Sequence, residues 1–127
     1  MAYEGIVEEV DLPTAYAMWE AGDLIVDVRT RAEYTAGHIA GAVNVPLREL
    51  TARERELPAG QVVAVCSMGY RSLRGAHTLA RLGRTAFSLR GGTKAWAAAG
   101  HPVVRDLDPG SRRRPGAWQR LLGRLVR

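Results

Sequence analysis

Apolar residues along this chain occur in short runs that alternate with segments of helical spacing. The short runs predict strands at 6–7, 24–28, 42–45, 62–66 and 85–89. The segments between them predict helices at 13–21, 31–36, 47–57, 72–82 and 92–99. Proline and glycine mark most of the breaks. Strands that alternate with helices in this way favour a parallel sheet that is covered by helices on both faces.

Composition indicates one domain with a short appendage. The chain has 127 residues, of which 46% are hydrophobic and 24% are charged, and this length suits a single compact core. After residue 104 the sequence becomes rich in proline, glycine and charge, which is typical of a linker. We therefore predict a domain over residues 1–104, followed within 105–127 by a basic linker and a short amphipathic helix.

The formal net charge of +5 comes from that C-terminal segment. Residues 1–104 contain eleven basic and eleven acidic residues, whereas residues 105–127 contain seven basic and two acidic residues. A neutral domain argues against broad electrostatic capture of DNA or RNA by its surface, so no specific nucleic-acid partner is predicted for it.

The predicted tail helix is apolar on one side and carries arginines between the apolar positions. The apolar residues are Trp118, Leu121, Leu122, Leu125 and Val126. Docking of this face on the domain or on a second subunit is the favoured interpretation. Contact of residues 112–127 with an anionic membrane surface is the second, and an acidic partner or nucleic acid is the third. The sequence does not separate these three.

The chain has neither a run of about 20 apolar residues nor the pattern of a signal peptide at its N-terminus. We therefore expect a cytoplasmic protein. One cysteine, Cys66, is present, which excludes an intrachain disulfide, a paired-cysteine redox motif and a cysteine-cluster metal site. A reducing compartment suits a reactive thiol.

Candidate chemistry centres on Cys66, which lies at a predicted strand-to-helix turn. The first N–H groups of a helix have no intrahelical partners, so they attract an anion, and the helix dipole adds to that attraction. We expect these groups and the charge of Arg71 to lower the pKa of the thiol. A buried structural cysteine is the alternative, but Gly69, Arg71 and Ser72 in the same loop favour a nucleophile.

Three more residues belong to this candidate site. Ser72 either caps the following helix or contacts the thiolate, and the sequence leaves both open. Asp27 and Arg29 follow the second predicted strand, at the sheet edge where Cys66 lies, and their spacing puts them on one face. We predict that they form an ion pair that supports the Cys66 loop.

Together with its neighbours, this loop resembles that of the single-domain rhodaneses, which are sulfurtransferases that carry sulfur as a cysteine persulfide. The resemblance extends over residues 5 to 104 and rests on an ordered set of motifs. They are Asp27-Val28-Arg29, Glu33-Tyr34, residues 37–46, Cys66-Ser67-Met68-Gly69-Tyr70-Arg71-Ser72, Gly91-Gly92, Trp96 and residues 100–103. The fold implied is a rhodanese-like three-layer α/β sandwich, with a central five-stranded parallel sheet and helices on both faces.

The resemblance also implies a mechanism. Cys66 takes sulfane sulfur from a donor such as thiosulfate or a persulfide, holds it as a persulfide, and passes it to cyanide, a small thiol or a protein thiol. Arg71 is then the second catalytic residue, and no metal or organic cofactor is required. The loop residues implied to bind the substrate anion are Ser67, Met68, Gly69, Tyr70 and Ser72.

Loop length bears on the substrate class. In this family the sulfurtransferases have six residues from cysteine to arginine, whereas related phosphatases and arsenate reductases have seven. Cys66 to Arg71 is six residues, which favours sulfur over phosphate. A non-catalytic rhodanese-like interaction module is the other alternative, and the presence of both Cys66 and Arg71 argues against it.

The loop departs from the thiosulfate-preferring members, which often have further basic residues. Here Arg71 carries the one formal charge of the loop, and this disfavours thiosulfate as the donor in the cell. Met68 and Tyr70 would suit contact with a protein thiol or a low-molecular-weight persulfide. In the family's pattern His38 is structural, and Trp96 is a core residue by its helical spacing.

Overall fold

The computed structural model describes residues 7–107. Its strands are β1 (Val7–Val10), β2 (Leu24–Asp27), β3 (His38–Ile39), β4 (Val43–Asn44), β5 (Val62–Val65), β6 (Ala86–Leu89) and β7 (Val103–Val104). Its helices are α1 (Leu12–Glu20), α2 (Arg31–Ala36), α3 (Leu50–Arg53), α4 (Tyr70–Arg81) and α5 (Gly92–Ala98). Residue 6 and the predicted tail helix lie outside the described residues. Within residues 7–107, no helix has the length and apolar character needed to cross a membrane.

Five strands form one sheet in the order β1-β6-β5-β2-β4, and every neighbouring pair is parallel. This confirms the predicted five-stranded parallel sheet. β5 is the central strand, and its four residues are all buried. Because ligands of such sheets bind beyond the carboxyl ends of the strands, the residue that follows β5, Cys66, has a central position at the binding edge.

The two faces of the sheet carry separate apolar clusters, because successive strand residues point to opposite sides. Val63 and Val65 pack on the face that also holds Trp19 and Trp96 from α1 and α5. The opposite face, which is covered by α3 and α4, contains Val62 and Ala64 of the same strand and Cys66, which follows it. The result is a three-layer structure, and the prediction that Trp96 belongs to the core is confirmed, since it is 1% exposed.

The prediction of one helix over residues 47–57 is wrong. The segment contains the short α3, preceded by a 3-10 turn at Leu47–Glu49 and followed by another at Glu54–Glu56. Arg84 holds the end of the segment: its guanidinium donates to the carbonyl of Pro58 at 2.7 Å and pairs with Glu54 at 2.6 Å. Arg84 also donates to the Leu57 carbonyl at 3.1 Å, and Pro58 has no N–H with which to continue a helix, so the segment ends in this irregular form.

A second, two-stranded sheet joins β3 to β7 in antiparallel register. No sequence signal predicted it, since strands of two residues have no measurable periodicity. His38 of β3 is fully buried. Its Nδ1 lies 2.8 Å from the carbonyl oxygen of Tyr34, and its ring stacks on the Tyr34 ring at 3.6 Å between centroids. These contacts agree with the structural role expected for His38.

Candidate active site

The thiol of Cys66 lies at the bottom of the loop that joins β5 to α4. The residue is 2% exposed. Its Sγ accepts the backbone N–H of Gly69 at 3.0 Å, and the thiol donates to Ser72 Oγ at 3.5 Å. α4 begins at Tyr70, two residues earlier than the sequence predicted. The loop therefore turns its backbone N–H groups and the first turn of α4 toward the sulfur.

These contacts determine the acidity of the thiol. Burial raises the pKa of Cys66, but hydrogen bonds with the Ser72 hydroxyl and with the backbone of Ser72, Gly69 and Met68 lower it. Together these hydrogen bonds outweigh the effect of burial. The pKa therefore lies below the ordinary thiol value, in the direction expected from the sequence. Once the thiol has lost its proton, the Ser72 hydroxyl and the loop N–H groups act as donors to the sulfur, and these hydrogen bonds favour the charged form.

Ser72 contacts the thiol and does not cap the helix. The N-cap residue of α4 is Gly69, and no side chain caps this helix. Ser72 is fully buried, and its Oγ lies 2.8 Å from Ser88 Oγ and donates to the Gly69 carbonyl at 3.2 Å. Ser88, which lies on β6, did not appear in the sequence analysis, because a serine within an apolar strand carries no signal of which loop it meets.

Arg71 is paired with a carboxylate that the sequence analysis did not select as a site residue. Its Nη1 and Nη2 donate to Glu33 Oε1 and Oε2 at 2.7 and 2.8 Å, and Nη2 also donates to Ser67 Oγ at 3.2 Å. The two side chains are 38% and 34% exposed. Arg71 and Cys66 interact through charge, yet the guanidinium hydrogen bonds go to Glu33 and Ser67.

Hydrogen bonds at the start of α2 also hold the Glu33 side chain in place. It belongs to a capping box at the start of α2, in which its carboxylate accepts the Thr30 N–H at 3.1 Å and Thr30 Oγ1 accepts the Glu33 N–H at 3.2 Å. Hydrogen bonds from Arg71 lower the pKa of Glu33 to about 2, against an opposing effect of burial. The Thr30-x-x-Glu33 spacing is a helix-start signal in the sequence, but it does not reveal the partner 38 residues away.

Asp27 and Arg29 form the predicted ion pair, 2.7 Å apart and almost entirely buried. The sequence predicts that this pair supports the Cys66 loop. Within residues 7–107, however, neither side chain forms a hydrogen bond to that loop. Arg29 Nη2 donates to the Gly37 carbonyl at 2.7 Å, and Asn44 Nδ2 donates to the carbonyls of Asp27 and Arg29. The pair joins the end of β2 to the end of α2, and thus supports the helix that carries Glu33.

The reason is the alternation of the sheet. Asp27 lies in register with Val65, so its side chain shares the face of Val65, whereas Cys66 is one residue further and lies on the other face. Asp27 still acts on the site through charge, since it raises the pKa of Arg71 together with Glu33.

The first turn of α5 is hydrogen-bonded to the backbone of the Cys66 loop. The N–H groups of Thr93 and Lys94 donate to the carbonyls of Cys66 and Ser67 at 2.8 and 3.1 Å. This close approach requires glycine at position 92, where a Cβ would lie 2.5 Å from the Cys66 carbonyl oxygen and closer still to that of Ser67. Gly92 also has a φ of +61°, a conformation that favours glycine.

Two apolar side chains flank the mouth of the loop. Met68 is 55% exposed and Tyr70 is 80% exposed. Both residues follow Cys66 closely in the chain and are exposed, so they are available to a molecule that contacts the loop. The thiol itself is accessible to a slender group only, because it is buried among loop backbone atoms.

Comparison with known proteins finds relatives of different kinds. A helix-turn-helix type transcriptional regulator of Mycobacterium tuberculosis is 43% identical over 88 residues, which cover 66% of this chain and 39% of the regulator. A protein named sulfurtransferase from Allochromatium vinosum is 39% identical over 83 residues, which cover 64% of this chain and 78% of that protein. The chain thus spans well under half the length of the first relative.

A solved structure has the same fold. The crystal structure of a rhodanese-related protein from Thermoplasma volcanium matches with a TM-score of 0.72 and 27% identity, over 78% of this chain and 99% of that one. Residues 12–99 match the family model described as the Rhodanese-like domain. That range begins with α1 and ends with α5, and it contains the whole Cys66 loop. This chain therefore belongs to the rhodanese-like domain family.

Proposed function

We propose that this protein is a sulfurtransferase that moves sulfane sulfur from a donor to a thiophilic acceptor through a persulfide on Cys66. The observation that carries the proposal is the environment of the thiol. Cys66 Sγ accepts the Gly69 N–H at 3.0 Å, lies 3.5 Å from Ser72 Oγ, and has a lowered pKa. The thiolate is the nucleophilic form of cysteine, so these contacts favour attack by Cys66.

The proposed reaction has two displacements. The Cys66 thiolate attacks the outer sulfur of thiosulfate, or the sulfane sulfur of a persulfide, and the S–S bond of the donor breaks. Sulfite, or the donor thiolate, leaves with the bonding electron pair, and Cys66 keeps the sulfur as Cys66–S–S⁻. A thiolate or cyanide then attacks the terminal sulfur, and Cys66 leaves as a thiolate. No net oxidant or reductant is consumed.

The loop suits the charge of this intermediate. In the persulfide the negative charge lies on the terminal sulfur, one bond beyond Sγ. Backbone N–H groups that converge on this position stabilise such an anion at no cost of rearrangement. The backbone groups of Met68, Gly69 and Ser72 already act on Sγ, and the first turn of α4 follows directly. We infer that the same groups receive the terminal sulfur.

Intact-protein mass spectrometry tests the proposal. After incubation with thiosulfate or with a low-molecular-weight persulfide, we expect the mass to rise by about one sulfur atom, and cyanide to remove the addition. The Cys66→Ser variant, verified as folded by circular dichroism, is the matched control and should gain nothing. An unmodified wild-type protein after treatment with each class of donor would refute the proposal, and hydrolysis of an aryl phosphate would then favour a phosphatase.

A further inference from the structure

A cavity adjoins the Cys66 loop at Arg71, and the mechanism above does not use it. It is a cleft of about 800 Å³ between the start of α2, the turn Leu47–Glu49 and the exposed face of α4. Besides Arg71 of the Cys66 loop, four arginines line it, and we call it the arginine cleft. They are Arg31, Arg48, Arg74 and Arg81.

The charge of the arginine cleft is not neutralised within residues 7–107. None of the four arginines other than Arg71 has a carboxylate within ion-pair distance in that part of the chain. The acidic residue of the cleft wall, Glu49, pairs with Arg53 at 3.0 Å. His77 adds a titratable group to the same wall. Arginines from three separate elements therefore face one cavity without a counter-charge.

In the active-site loop, by contrast, the positive charge is paired with a carboxylate. Its arginine, Arg71, is bound at both terminal nitrogens by Glu33, so the mouth above Cys66 presents little net charge. Arg71 also lines the arginine cleft. The cleft thus begins where the loop ends, and the unpaired positive charge near the thiol lies in the cleft.

The size of the cleft and its lining indicate the kind of ligand. Its volume is within the range of about 300–1,000 Å³ that is usual for small-molecule sites, and it is far larger than a thiosulfate ion requires. Val28, Pro46 and Leu47 supply apolar surface between the arginines. Guanidinium groups bind carboxylates and phosphates through paired hydrogen bonds. Such a site fits an organic molecule that carries several anionic groups.

We propose that the arginine cleft binds a small organic polyanion, whose anionic groups are carboxylates or phosphates, as the non-reacting part of the sulfur donor or acceptor. The substrate role rests on the proposed function, whereas the binding does not. The polyanionic part occupies the cleft, and the sulfur end reaches past Arg71 to Cys66. Affinity then comes from the arginines of the cleft and not from the loop.

Calorimetric titration of the full chain tests the binding. We expect pyrophosphate or citrate to bind with one site per chain and more weakly as salt rises, and the tighter of the two identifies phosphate or carboxylate as the preferred group. The double variant Arg48→Gln, Arg74→Gln should weaken binding at least about tenfold, because it removes two charged donors. Arg55→Gln, an exposed arginine outside the cleft, should bind as the wild type does.

Equal binding by the wild type and the double variant would overturn the proposal, because the anion would then bind elsewhere, as on the basic segment 105–127. Tighter binding of a ten-residue glutamate peptide than of both small anions, with loss in the double variant, would also overturn it and assign the cleft to a protein partner.

Steady-state kinetics tests the substrate role. Glutathione persulfide carries two carboxylates, and cysteamine persulfide carries none. We expect the wild type to have a lower KM for glutathione persulfide than for cysteamine persulfide. The ratio of the cysteamine persulfide KM to the glutathione persulfide KM should fall about tenfold in the Arg48→Gln, Arg74→Gln variant but not in Arg55→Gln. An unchanged ratio would refute the substrate role. Failure of thiosulfate and of both persulfides to load Cys66, with anion binding intact, would refute the proposed function and leave the cleft as an anion site.

Discussion

Cys66 and Arg71 are five positions apart in one loop, yet their side chains have different partners. The thiol contacts Gly69 N–H and Ser72 Oγ, whereas the guanidinium is bound to Glu33. Stabilisation of the thiolate thus depends mainly on loop hydrogen bonds. Arg71 adds charge from a distance, and Glu33 offsets much of it.

The pH dependence of sulfur loading should move when the Ser72 hydroxyl is removed. The wild-type rate rises with pH as the thiol ionises and levels off above the lowered pKa of Cys66. In Ser72→Ala we expect this rise to shift upward by up to about one pH unit, since a hydrogen bond contributes about 1 kcal/mol and one pKa unit corresponds to about 1.36 kcal/mol. Single-turnover loading rates across pH measure the shift.

Ser88→Ala is the matched control for this experiment. It removes the partner of Ser72, whose Oγ is 2.8 Å from Ser88 Oγ, but keeps the oxygen beside the sulfur. We expect a smaller shift than in Ser72→Ala. A pH profile that is identical in Ser72→Ala and the wild type would show that the backbone N–H groups alone determine the acidity of the thiol.

Glu33 should act against anionic donors. In Glu33→Gln the carboxylate charge is lost, the capping box remains possible, and Arg71 becomes available to a dianion. We expect the KM for thiosulfate to fall about three- to tenfold, as for one charged hydrogen bond of a partly exposed group. Because the pKa of Glu33 is about 2, the carboxylate is ionised throughout the neutral range and the gain should not vary with pH there.

Glu56→Gln provides the control for charge in general. Glu56 is paired with Arg53 and is 60% exposed, away from the Cys66 loop. Its loss should leave the KM for thiosulfate unchanged. Equal KM values in Glu33→Gln and the wild type would mean that Arg71 does not contact the donor.

At the scale of elements, the site is a junction of β5, α4 and α5. Cys66 follows the end of β5, and Gly69, with a φ of +112°, is the N-cap residue of α4. The N–H groups of Thr93 and Lys94 in the first turn of α5 donate to the loop carbonyls. A glycine pair opens α5, and Gly92 allows it to approach the loop backbone. Gly92 thus positions the thiol through the loop backbone, whereas Gly69 also donates its N–H to the sulfur.

Gly92→Ala should destabilise the domain and displace the loop. A Cβ there overlaps the Cys66 and Ser67 backbone, and the φ of +61° adds strain. We expect a loss of about 2 kcal/mol or more in the free energy of unfolding, measured by urea denaturation, together with slower sulfur loading. Gly100→Ala is the control: its φ is +79°, but no atom lies within 4 Å of the added Cβ. It should cost only about 1–2 kcal/mol and leave loading intact.

At the scale of the whole molecule, the sheet separates the Asp27–Arg29 ion pair from the Cys66 thiol. Alternation along β2 and β5 places the Asp27–Arg29 pair on one face and Cys66 on the other. The pair supports α2 through Gly37, and α2 presents Glu33 to Arg71. A buried ion pair on the far face thereby contributes to the position of a charge at the mouth of the site.

The arginine cleft also arises at this scale. Its arginines come from α2, from the turn before α3 and from α4, and in sequence they are scattered among ordinary surface positions. The sequence analysis located basic charge in the segment 105–127 and counted residues 1–104 as neutral. A neutral total conceals a local excess, because Glu49 is the one acidic residue among those described in the cleft lining, and it is paired with Arg53.

The sequence by itself determined the parallel sheet, the family resemblance and the central position of Cys66. These follow from local patterns: apolar runs, glycine and proline breaks, and a strand that leads into a helix. Only the tertiary structure decided that Ser72 faces the thiol, that Glu33 holds Arg71, that Asp27 lies on the opposite face, and that four arginines share a cleft. Each of these joins residues from separate elements, and periodicity along a chain specifies which face a residue occupies but not which distant residue it meets.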